Sequence, residues 1–235
     1  MKVGSHICLP VGHRHSLIVV LFFIGLVLGV TAIGFTFRSH DVEKATERMN
    51  YIEYTLHDLR AAVNIDSVRQ ATIQKIMKFC DHYNPTMSSN LKYEIANEIY
   101  KMSVKYANLD VDLICATITH ESAGTWDPKV ISGAGAMGLM QIMPATGVFL
   151  AEYEGLTWTT PKDILYNAIY NIRMGSRHLS TLIDLYGVDG GLAAYNGGEK
   201  RAAMWLAHNK ADGILWEETQ TYIPAVLKLY QQFRD

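Results

Sequence analysis

Glu121 closes the run Ile-Cys-Ala-Thr-Ile-Thr-His-Glu-Ser (114–122), an apolar helical stretch that stops at a carboxylate. Burial disfavours the charged form of a glutamate and raises its pKa. A glutamate so placed can therefore hold a proton near neutral pH and donate it to a leaving oxygen. A glycosidase presents its acid in this way. The segment that follows, Ser132-Gly-Ala-Gly-Ala-Met-Gly-Leu-Met-Gln141, is rich in glycine. Gly133, Gly135 and Gly138 let backbone pass close to a ligand with no Cβ in the way. Gln141 offers a donor and an acceptor to an acetamido group or a hydroxyl.

Glycoside cleavage usually employs two carboxylates, one as acid and one as base or nucleophile. No second carboxylate is evidently paired with Glu121. Asp127 is the nearest in sequence, but an aspartate before Pro128 reads as a turn or cap residue. One carboxylate suffices where the nucleophile belongs to the substrate: the acid protonates the glycosidic oxygen, then removes a proton from a hydroxyl of the same sugar. An intramolecular nucleophile has a high effective concentration and needs no water-activating group. A lone glutamate ending a helix can equally be a solvated or capping residue, so the downstream blocks decide. They are Ala193-Ala-Tyr-Asn-Gly-Gly198 and Glu218-Thr-Gln-Thr-Tyr-Ile-Pro224. Tyr195 and Asn196 end a helix where two glycines turn the chain, so both can face a cleft. Either Tyr195 or Tyr222 can instead be a core aromatic with a satisfied hydroxyl.

Together these blocks resemble the catalytic domain of the soluble-lytic-transglycosylase (SLT) family, goose-lysozyme-like enzymes that cut bacterial peptidoglycan. The resemblance covers about Asn108 to Gln232, with every block in the family's order. It implies a mainly α, lysozyme-like fold with a cleft between the Glu121 helix and the Tyr195 segment. It implies cleavage of the MurNAc–GlcNAc β-1,4 bond, with Glu121 as acid then base. The nucleophile would be the C6 hydroxyl of N-acetylmuramic acid and the product a 1,6-anhydro ring. Ser132, Gln141, Met143, Tyr195, Asn196 and Tyr222 are the implied saccharide contacts, with the Tyr222 hydroxyl near the carboxylate. Asn171-Ile-Arg-Met-Gly175 with His178-Leu179 matches a structural helix of the family. A tyrosine is usual where this chain has His178, which reads as a packing residue. Two alternatives stay open: a hydrolytic lysozyme on the same fold, or a non-catalytic peptidoglycan-binding scaffold of an envelope-spanning machine.

The elements that must position these residues read as helices. Ser67–Tyr83 is interrupted by Asn84-Pro85, and Ser88–Tyr106 carries Leu91, Ile95, Ile99 and Met102 on one face. Asp110 or Asp112 can cap the Glu121 helix, and Pro144 suits a first helical turn. Asn167–Tyr186, Asp189–Tyr195, Lys200–Ala207 and Thr219–Phe233 supply the rest. No run of alternating strands is evident, and any hairpin near Gly133–Gly138 would be small.

The chain's 235 residues suggest one domain plus appendages. A net charge of −2 gives no basic stripe for a nucleic-acid partner. There is no HExxH motif, and His120 points roughly 100° away from Glu121 on a helix, so no metal site and no cofactor are expected. The cysteines show no CxxC spacing. Cys115 reads as a buried, inert thiol, while a Cys80–Cys115 bridge stays open.

Leu17 to Phe37 contains no charged residue. At about 1.5 Å per residue it matches the roughly 30 Å hydrocarbon core of a bilayer. The run passes beyond the point where a signal-peptide core stops, so an uncleaved anchor is expected, though Val30-Thr31-Ala32 offers a cleavage site. Beyond it, Val42, Ala45, Met49, Ile52, Leu56, Leu59 and Val63 form a 3-4-3-4 seam. The seam suits either a coiled coil, in a homodimer or with an envelope-machine partner through residues 41–63, or a helix folded back on the domain. The expected plan is a cytoplasmic tail (1–16), an anchor (17–37), a helical juxtamembrane region (38–107) and a catalytic domain (108–235). The implied substrate places that domain in the periplasm or cell-wall space, on a single-pass protein of the bacterial inner membrane.

Overall fold

The computed structural model describes residues 11–234, apart from the side chains of residues 11–18, 35–37, 39 and 41. The chain divides into two units, one up to Ile65 and one from Asp66 onward. The first helix, α1 (Val11–Tyr83), begins in the first unit and ends in the second.

In the first unit, the described side chains of residues 19–34 are exposed and uncharged. Among the described residues no helix is long and apolar enough to cross a membrane. The anchor expected at 17–37 is therefore not found there. Residues 19–34 alone fall short of the roughly 20 residues a spanning helix needs, and the side chains of 17, 18 and 35–37 lie outside the description. The seam residues Val42, Met49, Ile52, Leu56, Leu59 and Val63 are exposed.

The second unit is helical throughout. It contains the end of α1, then α2 (Ser89–Lys105), α3 (Val111–Glu121), α4 (Pro144–Tyr153), α5 (Pro161–Leu165), α6 (Ala168–Gly197), α7 (Glu199–Ala207) and α8 (Glu217–Arg234). The domain boundary expected at 108 falls inside this unit, because the end of α1 and all of α2 help to build its core. Ile73, Ile76 and Cys80 of α1 and Ile95, Ile99 and Met102 of α2 are buried together with α3, α6 and α8. A smaller core joins Leu150 of α4, Ile164 and Leu165 of α5, and Met174 of α6 to Met137 and Ile142.

Local chemistry explains the boundaries. Ser88, Asp110, Thr160 and Asn167 each cap a helix by accepting a backbone N–H two or three residues on. Pro144 and Pro161 occupy first turns, where a missing N–H costs nothing. α5, with five residues, is too short to show a period in the sequence. The two helices expected on either side of Gly187 are one element with a kink there, at φ 70°.

α3 lies at the centre. Leu113 to Thr119 are all buried, so this helix is apolar on every side and needs neighbours around its whole circumference. Its polar side chains are satisfied within the helix: Thr117 and Thr119 donate to the carbonyls of Leu113 and Cys115. Asn108, just before α3, donates to the Ser180 carbonyl and the Asp184 carboxylate on α6. Glu98 on α2 is buried against Arg173 of α6, and Glu154, just after α4, meets Arg177 of α6 and Lys105 of α2. These contacts set α3 and α4 against the long α6. Cys80 and Cys115 are buried free thiols, and burial pushes both above the usual range. Around Gly133–Gly138 the described backbone has only two isolated bridges, Ile131 to Met137 and Met137 to Ile142.

Candidate active site

Glu121 is the last residue of α3, and a fully bonded turn fixes it there. The Gly124 N–H donates to the Thr119 carbonyl at 2.8 Å and the Ala123 N–H to that of His120 at 3.0 Å, which is the Schellman pattern. Ala123 holds the left-handed position of that turn at φ 50°. The buried Ser122 hydroxyl accepts from the Trp126 backbone N–H, and the Trp126 indole donates to the Thr119 hydroxyl at 2.9 Å. Trp126 is fully buried and stacks parallel to Tyr83. The helix end therefore has little freedom, and the Glu121 carboxyl inherits its position from the core.

The Tyr222 hydroxyl, carried by α8, donates to Glu121 Oε1 at 2.7 Å. The Tyr222 ring is buried and meets the edge of His120. Burial pushes the Glu121 carboxyl up from its ordinary value to about 7; the Tyr222 hydrogen bond opposes that and the charge of Glu218 adds to it. Burial also lowers His120, against the pull of Glu218. Tyr195 and Tyr222 are both held well above the usual phenol range, by burial first and by the Glu121 charge second. Both phenols therefore remain protonated donors at neutral pH.

Tyr195 does not bond Glu121. Its hydroxyl donates to the Met140 carbonyl at 2.8 Å, joining the end of α6 to the glycine-rich segment, and its ring lies beside His178. Asn196 Oδ1 accepts from the Thr219 hydroxyl of α8 at 2.7 Å. Gly197 is required there, because a Cβ would lie 2.7 Å from that hydroxyl. The Gln141 amide donates to the carbonyls of Gly138 and Val130, so part of the group expected to meet a sugar holds its own loop together. The Ser132 hydroxyl accepts from the Ala136 N–H, closing the glycine turn. Met143 is exposed at the start of α4 rather than packed in the core. Asp127 accepts from the Lys129 N–H as an exposed turn residue.

Asn171 was legible only as part of a structural helix, and its part in holding these groups was not. Asn171 is fully buried in α6; its amide donates to the carbonyls of Met137 and Leu165, and its oxygen accepts from the Met140 N–H. Gly138 must be glycine beneath it, since a Cβ would meet the Asn171 amide and the Leu165 carbonyl at 2.3 Å. An amide side chain between apolar residues, in line with the buried Ile172 and Met174 of α6, was the available signal. Glu218, exposed on the first turn of α8, adds its charge to the burial that raises Glu121. Among the described residues no three histidine, cysteine, aspartate or glutamate side chains converge as a metal set.

The family described as "Transglycosylase SLT domain" matches residues 98–215, half of the chain, and takes in Glu121, the glycine-rich segment and Tyr195. The chain belongs to the transglycosylase SLT domain family. The putative soluble lytic murein transglycosylase of Haemophilus influenzae is 34% identical over 121 residues, covering 51% of this chain and 20% of that protein. The transglycosylase of phage PRD1 is 40% identical over 105 residues, covering 44% of this chain and 35% of the phage protein. The solved 70 kDa soluble lytic transglycosylase of Escherichia coli shares the fold, with a TM-score of 0.51 at 24% identity, over 71% of this chain and 29% of that structure. This SLT chain spans about a fifth of the length of the first curated relatives it matches.

Proposed function

We propose that the chain is a peptidoglycan lytic transglycosylase that cleaves the MurNAc–GlcNAc β-1,4 bond with one carboxyl, Glu121, as acid then base. The observation that carries this reading is the Glu121 carboxyl, raised to about 7 and held by the Tyr222 hydroxyl at 2.7 Å. Near neutrality such a group is available both to give a proton and to take one back. In the first half of the reaction the Glu121 proton passes to the glycosidic oxygen as the C1–O bond breaks, releasing the GlcNAc hydroxyl. In the second, the C6 oxygen of the same MurNAc bonds to C1 and its proton passes to Glu121, which restores the starting acid. No water and no cofactor are consumed. Tyr222 orients the carboxyl and stabilises its charged form between the halves. Tyr195, Asn196, Gln141, Ser132 and Met143 are assigned to the saccharide cleft, Tyr195 by shaping Met140 and Asn196 through its tie to α8. Mass spectrometry of muropeptides released by the purified chain tests the reading, and 1,6-anhydro-MurNAc ends are the expected product. Reducing MurNAc ends would overturn it.

Hydrolysis is the second reading, and it needs a second carboxylate to activate water; Glu218, whose charge adds to the raised Glu121 carboxyl, is the one to test. If Glu218 activated water, Glu218→Gln would remove reducing-end products. On the single-acid reading the same change leaves anhydro ends dominant.

The sequence also supports a single-pass anchor at 17–37, with the SLT domain outside the cytoplasmic membrane where peptidoglycan lies. The seam at 42–63 is assigned to self-association or to a partner in the envelope.

A further inference from the structure

A groove of about 850 Å³ runs between α4 and α6 and shares two residues, Tyr195 and Asn196, with the wall of the site. Its far side is aromatic. Phe149 and Tyr153 stand four residues apart on α4, one above the other on the same face. Their rings meet edge to face at 4.9 Å, and both side chains are more than half exposed. The Arg177 guanidinium lies over the Tyr153 ring, 5.7 Å from its centre, while Glu154 fixes the same guanidinium. Two large aromatics held open to solvent cannot be explained by the core, which α4 already serves through Leu150 and Ala151.

From this geometry we infer that Phe149 and Tyr153 form a stacking platform for a pyranose of the glycan strand, away from the scissile bond. The inference rests on the reading of Glu121 as a glycan-cleaving acid and adds a binding determinant to it. Continuity supplies the occupant. A polymer cut at Glu121 must leave the site along a wall, and Tyr195 and Asn196 belong to both the site and this groove. Chemistry supplies the contact: a pyranose has an apolar C–H face suited to an aromatic ring and an equatorial rim suited to polar groups. The groove offers both, with Arg177, Thr181 and Glu199 as the polar side. The platform is built from the exposed row of α4, so its loss should leave the core unchanged.

The test uses the full chain carrying Glu121→Gln, in detergent, with N-acetylglucosamine oligomers of two to six units titrated calorimetrically. Affinity should rise with length, and the gain should fall about five- to tenfold in Phe149→Ala and in Phe149→Leu, which keeps apolar bulk without a ring face. Dimer binding should stay within about twofold. At about 1.4 kcal/mol per tenfold, this range corresponds to about 1.0–1.4 kcal/mol, within what an aromatic contact supplies. Equal loss at every length would make Phe149 a structural prop, and no loss at any length would remove the platform; either overturns the inference. So would a loss seen with stem-peptide-bearing muropeptides but not with bare oligomers, which would give the groove to the peptide. The unsubstituted chain, assayed for cleavage of murein sacculi in parallel, separates the two claims. If it cleaves while Phe149→Ala binds normally, only the platform fails. If it does not cleave while the length effect persists, the enzymatic reading fails and the groove stands.

Discussion

At the scale of single residues, the chemistry turns on one proton. The Glu121 carboxyl titrates near pH 7 because the protein removes it from water, and the Tyr222 hydrogen bond only partly offsets that. The acid form is needed to start the reaction, so kcat/KM should be flat below about pH 7 and fall about tenfold per pH unit above it. A flat rate through pH 8 would show that another group supplies the proton. Glu121→Gln should abolish cleavage with the fold intact, because the amide keeps the shape but cannot exchange a proton. The stability consequence has a definite sign. A folded-state pKa raised from an ordinary 4.5 favours the fold fully below pH 4.5, and this contribution is lost as pH rises through about 7. Glu121→Gln cannot ionise, so its stability advantage should grow across that window to about 3 kcal/mol, at 1.36 kcal/mol per pH unit. Denaturant titrations at pH 4, 6 and 8 read this out, and a constant difference would contradict it. Tyr222→Phe keeps the ring and removes the 2.7 Å bond. It should lower kcat about ten- to a hundredfold, the effect of losing about 1.5–3 kcal/mol; a change under twofold would leave Tyr222 as packing alone.

At the scale of elements, the helix that carries Glu121 is held at its end by a turn that uses an alanine where glycine is favoured. Ala123 sits at φ 50° with both Schellman hydrogen bonds made. A left-handed alanine costs roughly 1–2 kcal/mol, so Ala123→Gly should raise stability by about 1 kcal/mol after the entropy cost of glycine. Unchanged or lower stability in thermal unfolding would mean that the turn is not strained. This arrangement also marks what the sequence conveyed. The apolar run ending in Glu121, the helix starts at Ser88 and Asn167, a cap at Asp110 or Asp112, and the break near Gly187 were legible because each is a local signal. The positions of Tyr222 and of the glycine-rich segment came from resemblance. The clamp at Asn171, the Thr219–Asn196 tie and the reach of Glu218 were not legible, because each joins residues far apart in sequence. Gln141 shows the limit most plainly. Its amide can serve a sugar or a carbonyl equally well, and only the fold brings Gly138 and Val130 within its reach.

At the scale of the whole molecule, the question is where the SLT domain is held. The unit that ends at Ile65 displays apolar side chains from Val19 to Ile33 to its surroundings. In water such a surface is unfavourable by roughly 25 cal/mol per Å², so the proposed anchor would gain from a cover. A bilayer provides one without demanding a specific partner, and it accepts a helix whose polar groups are satisfied internally. Thr31, a polar residue within this stretch, meets that condition by donating to the Leu28 carbonyl at 2.9 Å. With Leu17, Ile18 and residues 35–37 included, the uncharged run of the sequence reaches the roughly 20 residues that a span needs. The full chain should therefore remain with the membrane fraction after high-salt and alkaline washing, and removal of residues 17–37 should release a protein that still cleaves murein. Recovery of the untruncated gene product as a soluble form beginning at Ile33 would show instead that this segment directs export and is then lost. The catalytic claim would survive that result, because the core around Glu121 is drawn entirely from residues beyond Asp66.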